Sequence, residues 1–121
     1  MKILIVEDEI LVARMYQKMA KSENFKIELA TNGAMGIEKA KEWKPDVILM
    51  DIMMPKMNGI QALEKLKADS ETKDIPVVIL TNMSGKHDIE LAISKGAIDF
   101  WVKKDLEPKN FKDKLLAVLK K

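Results

Sequence analysis

The sequence predicts a layered α/β domain built from five consecutive strand–helix units. Three observations predict it. Short apolar runs recur at Ile3–Val6, Ile27–Ala30, Val47–Met50, Val77–Leu80 and Ile98–Val102, starting roughly 20 to 30 residues apart, the length of one such unit. The first, third and fourth runs are continuous and rich in Val, Ile and Leu, as in strands buried on both faces of a parallel sheet. Between the runs, apolar residues recur at helical spacing, which supplies the covering layers.

Each element follows in chain order. After the first run, Leu11, Met15 and Met19 lie four residues apart with Val12 and Tyr16 beside them, a helical stripe. Ile27-Glu28-Leu29 alternates, which suits a strand nearer a sheet edge. Met35, Ile37 and Ala40 give a weaker second stripe. The third run ends on a lone carboxylate, Asp51, after which Met54-Pro55 turns the chain away. Ile60, Leu63 and Leu66 form the third stripe, after the turn signal Asn58-Gly59. Ile89, Ala92 and Ile93 form the fourth, with Gly96 as its cap. Asp99 interrupts the fifth run, and Phe100 and Trp101, adjacent in a strand, face opposite sides of the sheet. Phe111, Leu115, Val118 and Leu119 form the last stripe, after Pro108.

Composition narrows the function classes. The 121 residues fit one compact domain, with no room for an output domain. A net charge of +2 is too weak a bias to argue for nucleic acid or a membrane surface as partner. There is no cysteine and His87 is the one histidine, so thiolate and multi-histidine metal sites are excluded. Glu7 stops the first apolar run, which is too short for a signal peptide. No stretch approaches the ~20 apolar residues of a membrane span. The expected compartment is the cytoplasm.

The residues after the runs carry the chemistry. Val6 is followed by Glu7-Asp8, Met50 by Asp51, Leu80 by Thr81 and Val102 by Lys103. In an open parallel sheet the carboxyl ends of the strands share one edge, and ligands bind there. Taken singly, each residue has an ordinary explanation: an acidic pair or a threonine caps a helix, an aspartate starts a loop, a lysine is solvated. Their joint placement, strand end after strand end, is what points to a site. Three carboxylates and one ammonium leave an excess of two negative charges, which one divalent cation neutralises. All-oxygen donors select a hard ion, Mg²⁺ or Mn²⁺. These groups suit phosphoryl transfer, with Asp51 as nucleophile.

These residues resemble a known family. The chain is similar to the response-regulator receiver domains, the CheY-like phosphoacceptors of two-component signalling. The likeness rests on Glu7-Asp8, the segment from Asp51 through Met53, Pro55 and Asn58 to Gly59, Thr81 ending its apolar run, and Lys103 after Gly96-Ala97-Ile98-Asp99-Phe100. The resemblance implies a flavodoxin-like (βα)5 domain over residues 1–121, with a parallel sheet of order 2-1-3-4-5. It implies that Asp51 is the phosphoacceptor and that Glu7, Asp8, Asp51 and the Met53 backbone carbonyl hold Mg²⁺ (or Mn²⁺). Thr81 corresponds to the switch hydroxyl, Lys103 to the phosphate-binding lysine and Phe100 to the switch aromatic. A histidine kinase or histidine phosphotransfer protein would supply the phosphoryl group. The face made by the fourth helix, fifth strand and fifth helix would then act on a downstream protein partner. Such a chain is a stand-alone switch that catalyses only its own phosphorylation and dephosphorylation.

The chain departs from the family pattern in two places. Lys104 stands where the family usually has proline after a cis bond, and Asn82 stands where a small residue is usual. Met53 and Met83 flank the site at positions that tune phosphate loss in the family. Their apolar side chains cannot orient a hydrolytic water, so slow self-dephosphorylation is expected. Three other functions fit less well. A small-molecule phosphatase would carry a second carboxylate two residues after Asp51, where Met53 stands. A nucleotide-binding domain needs a glycine-rich first turn, where Glu7-Asp8-Glu9 stands. A purely structural module has no need of the whole acidic, Thr and Lys set.

Overall fold

The computed structural model describes residues 1–82 and 86–120, with Lys86 described by its backbone alone. Strands β1 (Lys2–Val6), β2 (Lys26–Ala30), β3 (Val47–Asp51), β4 (Val77–Thr81) and β5 (Asp99–Val102) alternate with helices α1 (Ile10–Ala20), α2 (Gly33–Trp43), α3 (Gly59–Ala68), α4 (Lys86–Ser94) and α5 (Pro108–Leu119). A short 3₁₀ turn, Lys103–Asp105, follows β5. All strands pair in parallel, in the order β2-β1-β3-β4-β5. The expected fold and strand order are both present.

The sheet is central because its inner strands are apolar on both sides. Every residue of β3 and β4 is buried. Alternate side chains feed two cores. Leu4, Val6, Ile48, Met50 and Ile79 pack against Leu63 and Leu66 of α3 and Ala92 of α4. Ile3, Ile5, Leu49, Val78 and Leu80 pack against Tyr16 of α1 and Phe111 and Leu115 of α5. Phe100 packs against the first core and Trp101 lies in the second, so the two aromatics do face opposite sides. Tyr16 stacks on Phe111, whose ring meets Trp101 edge-on.

Caps explain where several helices begin and end. Asn32 accepts the Met35 N–H at the start of α2. Asn58 and Gln61 form a reciprocal capping box at the start of α3. Gly96, at φ +109, closes α4, with the Ala97 N–H returned to the Ala92 carbonyl at 3.0 Å. Two helical stripes sit differently from expectation. On α1 the buried residues are Ala13, Tyr16 and Ala20, while Leu11 is 78% and Met15 49% exposed. On α2 the buried residues are Gly33, Gly36 and Ala40. Both helices lie close to the sheet, so small residues form the contact: a Cβ on Gly36 would stand 2.8 Å from a Val6 methyl. Among the described residues no helix is long and apolar enough to cross a membrane.

Candidate functional site

The site forms where the chain reverses its course across the sheet. From β1 the fold steps outward to β2 on one side and to β3 on the other, so loops leaving the carboxyl ends of β1 and β3 diverge and open a crevice. Asp51 is the last residue of β3 and Thr81 the last of β4, each within its strand rather than just beyond it. The Glu7 N–H still donates to the Ala30 carbonyl at 3.0 Å, which extends the ladder one residue past β1. The Ile52 N–H likewise donates to Leu80 at 3.0 Å. Glu7 and Asp51 are therefore fixed by backbone pairing rather than carried on free loops.

Side chains from three of the strand ends meet. Lys103, entering the 3₁₀ turn after β5, places its Nζ 2.9 Å from Asp51 Oδ1 and 3.4 Å from Glu7 Oε1. The Met53 N–H donates to the same Asp51 oxygen at 3.3 Å. One carboxylate oxygen from each of Glu7, Asp8 and Asp51 lies within 4.8 Å of the others. Glu7 and Asp51 are 1% and 2% exposed; Asp8 is the more accessible of the three. Thr81 is buried at the end of β4, the strand next to β3, level with Val102 in the β4–β5 register. Burial, and then the hydrogen bond and negative charge of Asp51, raise the Glu7 carboxyl to about 8, with Lys103 pulling the other way.

The donor set fits a hard divalent cation. Glu7 Oε2 is buried and has no hydrogen-bond partner among the described residues. A buried acceptor without a donor costs about 1–3 kcal/mol, and a cation held between Glu7, Asp8 and Asp51 would remove that cost.

The remaining expected residues are placed as follows. Asn82 is exposed, and it lines an open cleft of about 380 Å³ together with Glu7, Met15, Tyr16, Lys103 and Lys104. Met53 is 69% exposed at the site mouth. Phe100 is half-buried on the α4 side of β5. Met83 lies outside the described residues. No cis peptide bond occurs among the described residues, so the Lys103–Lys104 bond is trans and lies within the 3₁₀ turn.

Two positions escaped the sequence reading. From sequence Tyr16 is only a neighbour of the first helical stripe, yet it lines the cleft, and burial with the nearby Glu7 and Asp51 charges holds its hydroxyl well above the usual range. From sequence Gly59 is a turn signal and the last residue of the motif segment that begins at Asp51, with no role of its own. In the fold it opens α3 against the end of β3, where a Cβ would overlap the Asp51 carbonyl, and its N–H donates to Ile52 at 3.0 Å. The absence of a side chain at 59 thus lets the α3 terminus close over the Asp51 backbone.

A family model described as the response regulator receiver domain matches residues 3–116. The chain belongs to the response regulator receiver domain family. Receiver domains of this family bind Mg²⁺ at an acidic pocket, and Glu7, Asp8 and Asp51 form an acidic cluster in this chain. Among curated relatives, protein PilH of Pseudomonas aeruginosa is 38% identical over 102 residues, 84% of each chain. The DNA-binding response regulator MtrA of Mycobacterium tuberculosis is 32% identical over 120 residues, 99% of this chain and 51% of that protein. The chain thus spans about half the length of the MtrA proteins it matches. The Vibrio cholerae chemotaxis protein CheY4 superimposes with a TM-score of 0.89 at 26% identity over 97% of both chains. The CheX-CheY-BeF3-Mg complex from Borrelia burgdorferi gives a TM-score of 0.86 at 27% identity, over 97% of this chain and 87% of that one.

Proposed function

We propose that this receiver takes a phosphoryl group from a phosphohistidine of a histidine kinase or histidine phosphotransfer protein onto Asp51 and passes the signal to a downstream protein partner. The observation that carries the reading is the Asp51 carboxylate, ion-paired to Lys103 at 2.9 Å and clustered with the Glu7 and Asp8 carboxylates at the switch point of the sheet. An Asp51 oxygen forms the new O–P bond as the N–P bond to the donor imidazole breaks, and the departing nitrogen recovers a proton. Mg²⁺ (or Mn²⁺), held by Glu7, Asp8, Asp51 and the Met53 carbonyl, would neutralise charge on the phosphoryl oxygens.

The chain's own groups do the rest. Backbone pairing and the Gly59 contact orient Asp51. The Lys103 ammonium moves from the carboxylate to a phosphoryl oxygen, the same charge-assisted contact with a new acceptor. The Thr81 hydroxyl donates to a second oxygen. That shift draws the end of β4 towards Asp51, lets Phe100 turn inward and repacks the α4–β5–α5 face, which changes partner choice. Incubation with acetyl phosphate and Mg²⁺, followed by intact mass, tests the reading. One added phosphoryl group in wild type and none in Asp51→Asn is the expected result. Equal uptake by both proteins rejects it.

A further inference from the structure

A second groove lies away from the cluster around Asp51. About 460 Å³ in volume, it runs between α1 and β2 and is lined by Arg14, Gln17, Lys18, Lys21, Phe25 and Ile27. Arg14, Lys18 and Lys21 are exposed and take part in no ion pair among the described residues. No carboxylate lines the groove. Attraction of Lys18 and Lys21 to the carboxyl end of α1 accounts for part of this placement; Arg14, a turn and more from that end, is outside its reach.

The other wall is a sheet edge. β2 pairs with β1 alone. The Lys26 N–H donates to Met1 and the Ala30 carbonyl accepts from Glu7, so residues 26, 28 and 30 turn their peptide groups towards β1. In a parallel ladder the alternate residues turn theirs the other way. The N–H and C=O groups of Ile27 and Leu29 therefore point off the sheet, with the ring of Phe25 half-buried beside them. Glu28 is held on the opposite face by Lys39 at 2.9 Å and leaves the groove side purely cationic.

We infer that this groove docks an extended acidic segment of a partner protein, which adds as a sixth strand to the β2 edge and sets alternate carboxylates against Arg14, Lys18 and Lys21. Outward peptide groups supply the main-chain bonds, and the stripe on α1 supplies the preference for acidic side chains. A second copy of this chain is disfavoured, because it would bring the same three cations against themselves.

The test uses the full chain and a synthetic octapeptide of alternating Glu and Val, with a Lys–Val octapeptide as control. Binding is read by titration, and amide hydrogen exchange by NMR. The Glu–Val peptide is expected to bind, to slow exchange of the Ile27 and Leu29 amides, and to weaken about tenfold in the variant Arg14→Glu/Lys18→Glu/Lys21→Glu. The Lys–Val peptide is expected not to bind. Binding that leaves those two amides unprotected would reduce the groove to a charged surface and overturn the strand pairing. Failure of the acidic peptide to bind, equal binding of both peptides, or unchanged affinity in the triple variant would overturn it as well.

Discussion

Among the described residues Glu7 pairs its Oε1 with Lys103 at 3.4 Å, while its Oε2 is buried without a hydrogen-bond partner. Its carboxyl, raised from 4.5 to about 8, holds a proton in the folded, metal-free domain over a range where the unfolded chain has lost it. The folded state therefore binds more protons between those values, and stability falls as pH rises through that window. In EDTA, the urea midpoint is expected to be lower at pH 8.5 than at pH 6; Glu7→Gln should flatten the difference, and Mg²⁺ should restore stability at the higher pH. Met53 offers another test at this scale. Exposed and without a polar group, it cannot orient water, so the phosphorylated form should outlast seconds in Mg²⁺ while Met53→Asn loses phosphate faster. Phosphate release from wild type within seconds would contradict this. The acidic residues, Asp51 and Lys103 were legible in the sequence because each follows an apolar run that could only be a strand. The roles of Gly59 and Tyr16 were not, because one comes from the close approach of the α3 start to the Asp51 backbone and the other from a cleft wall shared with Lys103, far along the chain, and neither is written in residue spacing.

At the scale of elements, helix ends carry the measurable energies. Lys44 closes α2 in the left-handed region at φ 51, where a β-carbon costs about 1 kcal/mol. Lys44→Gly should raise the urea midpoint by a corresponding amount with an unchanged slope. After α3, the buried Thr72 hydroxyl donates to the Leu66 carbonyl at 2.6 Å; Thr72→Val should cost about 1–2 kcal/mol, because it leaves that carbonyl without its donor. Strands β1, β3 and β4 were legible because burial on both faces confines their polar residues, Lys2, Asp51 and Thr81, to the strand ends. The face of α1 was not. Leu11 and Met15 mark an apolar stripe in the sequence, yet the buried positions are Ala13, Tyr16 and Ala20, since a helix seated close to the sheet buries small side chains beside one aromatic, and hydropathy spacing undervalues the small ones.

Over the whole molecule, strand order converts sequence separation into proximity. Glu7 and Lys103 are 96 residues apart in the chain and 3.4 Å apart in space. Only a parallel sheet with β1 and β3 adjacent brings the ends carrying Glu7 and Asp51 side by side, and β4 and β5 then deliver Thr81 and Lys103 from one flank. Periodicity alone supplied the number of strand–helix units; the strand order came from the motif resemblance, because residue patterning does not encode which strand lies beside which. The most direct measurement is a crystal structure of the chain with Mg²⁺ and beryllofluoride. The account predicts one metal ion held by Glu7, Asp8, Asp51 and the Met53 carbonyl, with ligand oxygens about 2.1 Å away, and the fluoride adduct on Asp51 contacted by Lys103 and Thr81. An ion bound elsewhere, or an Asp51 carboxylate left unmodified beside an occupied acidic cluster, would contradict it.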